Sequence, residues 1–216
     1  MTPSGSLAPE ALADAAYALG LWTGWGALHS ILAARRVKAA FELALGPRCV
    51  LYPLGYALVS VWTFWLVLAK EPDLPQRMWA VGGAARVLLW AGQGAGVLLL
   101  AWAVLQVGGL RMLGLTQLWE FLHGRLSHGP DIRRQFRTTG AYGLVRHPMH
   151  AGGILILACQ PTQSLGSLVF TLFGCAYMVL GTWLEERRLA AELGSAWRDY
   201  AARVPMLVPF FGARRF

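Results

Sequence analysis

Charge is what this chain has least of. Only 14% of its 216 residues are Asp, Glu, Lys or Arg, against about 25% in an ordinary soluble domain, which excludes that class. Between Met149 and Leu184 there is none at all. Cysteine is also scarce. Cys49, Cys159 and Cys175 form no CxxC pair, so neither a disulfide framework nor a metal site is expected. Acidic residues number 11 against 19 Lys and Arg, for a net charge of +8. The cations are scattered between apolar runs instead of gathered on one face, so no nucleic-acid partner is expected. No Lys or Arg precedes the first apolar run, which lacks the charged start of a signal peptide and is expected to stay attached.

What the chain has instead is apolar length. Hydrophobic residues make up 56% of it and the mean hydropathy is +0.47. Ala15 to Ala34 is 20 residues without formal charge, Leu51 to Ala69 is 19 and Val87 to Leu110 is 24. Each meets the ~20 residues needed to cross a bilayer. The Met149–Leu184 run is too long for one span and is broken by Gln-Pro-Thr-Gln at 160–163, so it reads as a hairpin of about 12 and about 20 residues. The first arm then reaches only ~18 Å, which would sink Arg146-His147-Pro148 below the headgroups in a protein-lined pocket.

The expected fold is an all-α integral membrane protein of about five transmembrane helices, the last two a helical hairpin, with a C-terminal amphipathic cytosolic helix from Glu185. It divides as a single domain into three spans over 1–110, a cytosolic loop over 111–148, the hairpin over 149–184 and the C-terminal helix and tail over 185–216. Sixteen of the 19 Lys and Arg fall on one side of these spans. The positive-inside rule therefore puts the N-terminus outside and the C-terminus in the cytoplasm of a bacterial inner membrane.

Ionisable groups beside long apolar runs are costly, and so point to function. In Arg146-His147-Pro148-Met149-His150, Pro148 marks a helix start, whose free N–H groups suit an anion. His147 and His150, three apart, with Glu185 or Glu186, would also suit a metal. Glu185-Glu186 alone carries little, since Arg187 and Arg188 can neutralise it. His29, near the end of the first span, is either a hydrogen-bonded packing residue or a base. Arg133, Arg134 and Arg137 read as topological charges attracted to anionic lipid, or as the rim of a site.

Gly140-Ala141-Tyr142, Arg146-His147-Pro148, Gly152, Glu185-Glu186, Leu193-Gly194, Tyr200 and the Val204-Pro205 to Pro209 ending resemble the membrane methyltransferases related to isoprenylcysteine carboxyl methyltransferase and bacterial phospholipid N-methyltransferases. Leu28-His29-Ser30, Arg36-Val37-Lys38, Leu51-Tyr52 and Tyr56 resemble the branch that holds NnrU-type proteins and methanethiol S-methyltransferases. The resemblance implies an S-adenosyl-L-methionine cofactor held by Tyr142, Arg146, His147, Pro148, Gly152, Glu185 and Glu186. It also implies a membrane-embedded acceptor site, with Arg146, His150 and His29 as candidate catalytic groups. Trp197 and His150 stand where that family has tyrosines.

The chemistry of these residues agrees with the resemblance. A cofactor carboxylate suits Arg146 and the N–H groups after Pro148, and its cationic groups suit Glu185 and Glu186. The activity expected is S-methylation of a small or lipophilic thiol among membrane lipids. The alternatives are carboxyl methylation of an isoprenylcysteine-like group, N-methylation of a phospholipid, and a non-catalytic membrane transporter or accessory protein.

Overall fold

The computed structural model describes residues 7–125 and 136–209; Arg133, Arg134, Arg214 and Arg215 lie outside the described residues. The chain is mostly helical. Among the described residues, three stretches are long and apolar enough to cross a membrane: Arg35–Lys70, Gly83–Val107 and Leu165–Leu193. The first is an amphipathic helix α2 (Arg35–Leu45), a 3-10 turn (Gly46–Leu51) and the apolar helix α3 (Tyr52–Lys70). Helix α1 (Pro9–Ala33) precedes it. It has the length, ~37 Å at 1.5 Å per residue, but its Gly, Trp, Thr, His and Ser residues dilute its apolarity.

Helix α4 (Gly83–Val107) ends at Gly108, whose φ of 84° lies in the left-handed region that favours glycine. Among the described residues three short helices follow, α5 (Gly109–Met112), α6 (Leu115–Leu122) and α7 (Ala141–Leu144). The expected loop over 111–148 is therefore partly helical. Then come α8 (Pro148–Ala158), α9 (Leu165–Leu193) and α10 (Ser195–Arg203).

Helices α8 and α9 form the expected hairpin, with two corrections. The boundary at Glu185 is not a helix start. Nothing between Leu184 and Leu193 breaks a helix, so α9 runs 29 residues until Gly194 turns the chain at φ 60°. The first arm is also not short in reach, because Cys159–Ser164 continues it without helix and ends as an extended strand, β2 (Thr162–Ser164). His147 is 3.3 Å from Glu185, which lies ~30 Å along α9 from Leu165. The Arg146–Pro148 turn thus need not be sunk deep to reach its partner.

Strand β2 pairs antiparallel with β1 (Arg77–Ala80), in the connection between α3 and α4. Leu74, buried there, packs with Ala11, Ala18 and Leu165. The ribbon ties together one end of the helix bundle. At the other end α1, α4 and α9 finish and α3 and α8 begin.

Two contacts hold the helices side by side. Trp22, 1% exposed, sits between Phe64 of α3 and Phe170 of α9 with ring centroids 5.2 and 4.6 Å away. Helices α4 and α8 meet at Gly96 and Gly152, where a Cβ on either would come 2.7 Å from the other's carbonyl oxygen, the small-residue contact common between membrane helices. Much of the outer surface is apolar: Leu98 is 73% exposed, Leu105 80%, Trp62 63% and Trp65 65%. Such a surface is costly in water and unremarkable against lipid tails.

Candidate functional site

The site lies at the end of the bundle away from the ribbon, and a glycine begins it. Gly140 adopts φ 62° with the Gln106 side chain directly against it. Gln106 donates to Thr139 O (2.6 Å) and accepts from the Ala141 amide (3.1 Å). This anchors the turn on the end of α4 and leads into α7, which carries Tyr142. Val145 is then extended and fully buried. The amides of Arg146 and His147 donate to Pro205 O (2.8 Å) and Met206 O (3.2 Å), so the segment after α10 is laced to the Arg-His-Pro turn. Pro148 starts α8, leaving the amides of Met149 and His150 in its unpaired first turn.

Arg146 is committed to the fold. Its Nε and Nη2 make a bidentate pair with Glu186 (2.9 and 2.8 Å), and Nη1 donates to Ala201 O (2.8 Å) and Val204 O (2.6 Å) at the end of α10. Those four bonds leave one of its five N–H groups for a ligand. His147 stands between the two carboxylates, with Nε2 2.7 Å from Glu186 and Nδ1 3.3 Å from Glu185. Burial draws its pKa down, but the hydrogen bonds and charges of Glu185 and Glu186 outweigh this and hold it above the ordinary value.

Consecutive residues on a helix point about 100° apart. Glu186 turns inward to Arg146 and His147, while Glu185, its side chain 38% exposed, faces a cavity. His150 stacks on His147 at 6.0 Å, and its Nδ1 lies 2.8 Å from the buried Thr182 hydroxyl. One ring nitrogen of His147, one of His150 and one carboxylate oxygen of Glu185 lie within 4.8 Å of one another. Those are metal-ligand atom types, though His147 could serve as a ligand only when neutral and released from a carboxylate. Tyr142 is pushed up to about 12, first by burial and then by the Glu185 carboxylate, and remains a neutral hydroxyl.

The cavity measures 770 Å³, within the usual ~300–1,000 Å³ range of small-molecule sites. Tyr142, Arg146, His147, Pro148, His150 and Glu185 lie on its wall; Gly152, Glu186 and His29 do not. Gly152 is at the α4–α8 crossing. His29 lies between α1 and α3, its Nδ1 3.0 Å from Ser60 Oγ and its Nε2 2.5 Å from the Tyr56 hydroxyl. Tyr56 does line the cavity.

Arg137, which the sequence offered as the rim of a site, is on the wall, and sequence reasoning gave no such role to several of its neighbours there. Lys38, Arg111, Arg137 and Arg188 make the wall predominantly cationic, with Glu42 and Glu185 its carboxylates. Phe136 and the buried Trp197 add rings, with centroids 5.9 Å apart. The signal for the cations was present: they belong to the basic group that sets topology, and so fall on one side of the spans.

No family model and no solved structure matches the chain. Curated relatives do. Methanethiol S-methyltransferase 2 of Bradyrhizobium diazoefficiens is 32% identical over 189 residues, which cover 87% of this chain and 70% of that protein. The methanethiol S-methyltransferase of Pseudomonas deceptionensis is 32% identical over 163 residues, 73% of this chain but 58% of the relative. The enzyme of that name from Mycobacterium tuberculosis is 27% identical, over 84% of this chain and 72% of the relative. On the first of these matches the chain belongs to the methanethiol S-methyltransferase family.

Proposed function

We propose that this protein transfers a methyl group from S-adenosyl-L-methionine to a small or lipophilic thiol such as methanethiol. The observation that carries the reading is the cavity beside the Arg-His-Pro turn, where the Glu185 carboxylate and two histidines converge in a chain of this family. The cofactor supplies the reactive methyl on a sulfonium cation. The chain's own residues have to bind it, align the thiol, deprotonate it and exclude water, of which alignment contributes up to ~7–11 kcal/mol.

The fit is electrostatic. The Glu185 carboxylate on the cavity wall suits the cationic part of the ligand. The free amides of Met149 and His150 and the Arg188 guanidinium suit its carboxylate. Tyr142, kept neutral, donates to either. Arg146, Glu186, Pro148 and Gly152 hold this wall in shape. The excess of cations favours a thiolate over a thiol, as a nearby positive charge does for any cysteine.

In this reading α1, α3, α4, α8 and α9 are five membrane-crossing elements of one domain. The cavity opens at the cytoplasmic face beneath α2 and α10, and the N-terminus lies outside. The basic residues that line the cavity support that orientation. The test is calorimetric titration of detergent-purified protein with S-adenosylhomocysteine, followed by methyl transfer to methanethiol, a prenylcysteine analogue and phosphatidylethanolamine. Saturable binding with turnover of the thiol is expected. Turnover of another acceptor instead would refute the thiol assignment, and the absence of binding by folded protein would refute the cofactor.

A further inference from the structure

A thiol must lose its proton before it can take the methyl. Even a cysteine thiol, with a pKa near ~8.5, is only a few per cent ionised at pH 7, and a simple alkyl thiol is a weaker acid still. Apart from His150, the competing base that the experiment below tests, the groups around the cofactor wall are poorly placed to accept that proton. His147 is held between two carboxylates, Glu185 faces the cation it would bind, and Glu186 is bound to Arg146.

Another part of the cavity wall offers a different arrangement. Tyr56, in the first turns of α3, lines the cavity, and its hydroxyl lies 2.5 Å from His29 Nε2. The other ring nitrogen of His29 is 3.0 Å from Ser60 Oγ, one turn further along α3. With Tyr56 donating, Nε2 is the bare nitrogen, and Nδ1 carries the proton given to Ser60. The ring is further fixed by stacking on Trp25, with centroids 5.0 Å apart and planes at 26°. His29 itself is not on the cavity wall. Its route to a bound molecule is the Tyr56 hydroxyl.

On the reading that the cavity binds the methyl donor and a thiol, we propose that Tyr56 and His29 form a proton relay that ionises the acceptor. The thiol S–H bond breaks and its proton passes to Tyr56 Oη, while the Tyr56 proton passes to His29 Nε2. The thiolate then forms its bond to the methyl carbon as the sulfonium C–S bond breaks, and that electron pair stays on the departing sulfur. The products are a thioether, the demethylated donor and one proton on His29, which returns through Tyr56 to water once the cavity opens. Tyr56 touches the substrate, and His29 acts through it. The pairing also explains why a histidine and a tyrosine on separate helices are held so close on the acceptor side.

The experiment is methyl transfer to two acceptors by Tyr56→Phe, His29→Asn and His150→Tyr, with S-adenosylhomocysteine titrated into each sample. One acceptor is an alkyl thiol; the other is a nitrothiophenol, ionised at neutral pH. The relay predicts that Tyr56→Phe and His29→Asn slow the alkyl thiol by ~10²–10⁴-fold, slow the nitrothiophenol less than ~10-fold, and bind S-adenosylhomocysteine as the wild type does. Equal losses on both acceptors would mean that the pair only shapes the pocket, and would overturn the relay. So would an acceptor-dependent loss found in His150→Tyr alone, which would make His150 the base. If wild-type protein fails to bind S-adenosylhomocysteine or methylates neither thiol, the underlying functional reading falls first.

Discussion

Replacing Arg146 by Lys tests whether this residue clamps the fold or grips the ligand. The ammonium keeps the charge but cannot reproduce the planar fork that meets both oxygens of Glu186 and the carbonyls of Ala201 and Val204. At least two of the four bonds are lost, each worth about 1.5–3 kcal/mol when one partner is charged. Both side chains of the pair are largely buried, 11% and 18% exposed, so little of this is screened away. At about 1.5 kcal/mol each, the two lost bonds set a loss of about 3 kcal/mol, at the lower edge of the ~3–5 kcal/mol of deleting one partner outright. For a domain of this size that corresponds to about 6–12 °C in the thermal midpoint.

The assay is thermal unfolding in detergent, followed by intrinsic fluorescence, with S-adenosylhomocysteine titrated into the same samples well below the midpoint. A clamp gives the lower midpoint with affinity within about tenfold of wild type, because the N–H groups it loses were not turned to the cavity. An unchanged midpoint with abolished affinity would refute the argument and make Arg146 a direct ligand of the cofactor carboxylate.

His147 gives a pH dependence. Its folded pKa is raised, because the two carboxylates outweigh burial, so its contribution to stability is complete below ~6.5, the unfolded value. It is then lost as the pH rises through the folded value. The thermal midpoint should fall between pH 6 and pH 8, with a shallower fall in Glu186→Gln; a rising midpoint contradicts the sign. Gly152→Ala puts a methyl 2.7 Å from Gly96 O, backbone that cannot move aside alone, at a cost of about 1–3 kcal/mol. A lower midpoint is expected in unfolding assays, with unchanged S-adenosylhomocysteine affinity. Dialysis against EDTA should leave that affinity unchanged if His147, His150 and Glu185 serve an organic cation. Loss of affinity with recovery on adding zinc would instead make the cluster a metal site.

The sequence made the helical spans, their turn at 160–163 and the convergence of Arg-His-Pro with Glu-Glu legible, because apolar run lengths dictate what can meet across a hairpin. It did not show where α9 ends. The switch from apolar to polar residues at Glu185 marks a change of surroundings, while the helix itself continues to the positive φ of Gly194. The β1–β2 ribbon was hidden because strands of four and three residues carry too few positions for a period. The hold of Arg146 on the fold was hidden because two of its acceptors are backbone carbonyls at the end of α10, which no side-chain pattern records. His29 read as either packing or function, and its pairing with Tyr56, 27 residues away, became visible only once α1 and α3 were placed side by side.

The two adjacent glutamates show most directly what a linear motif conceals. On a helix they must diverge, so one wall of a cavity cannot use both. Here the fold takes Glu186, which answers Arg146 and His147, and leaves Glu185 beside His147 with its carboxylate toward the cavity. The same substitution should therefore act differently at the two positions. Glu186→Gln removes one charge from an otherwise paired, largely buried Arg146, and should lower stability by about 3–5 kcal/mol while changing ligand affinity only through loosening of the turn. Glu185→Gln loses a 38%-exposed carboxylate, with a small change in stability but a loss of S-adenosylhomocysteine binding of about 1.5–3 kcal/mol, the worth of one charge-assisted hydrogen bond. Unfolding and titration of both variants separate the two roles. If Glu185→Gln binds like the wild type while Glu186→Gln folds normally and does not bind, the inward carboxylate is the one the ligand uses, and the division of labour drawn from this geometry is wrong.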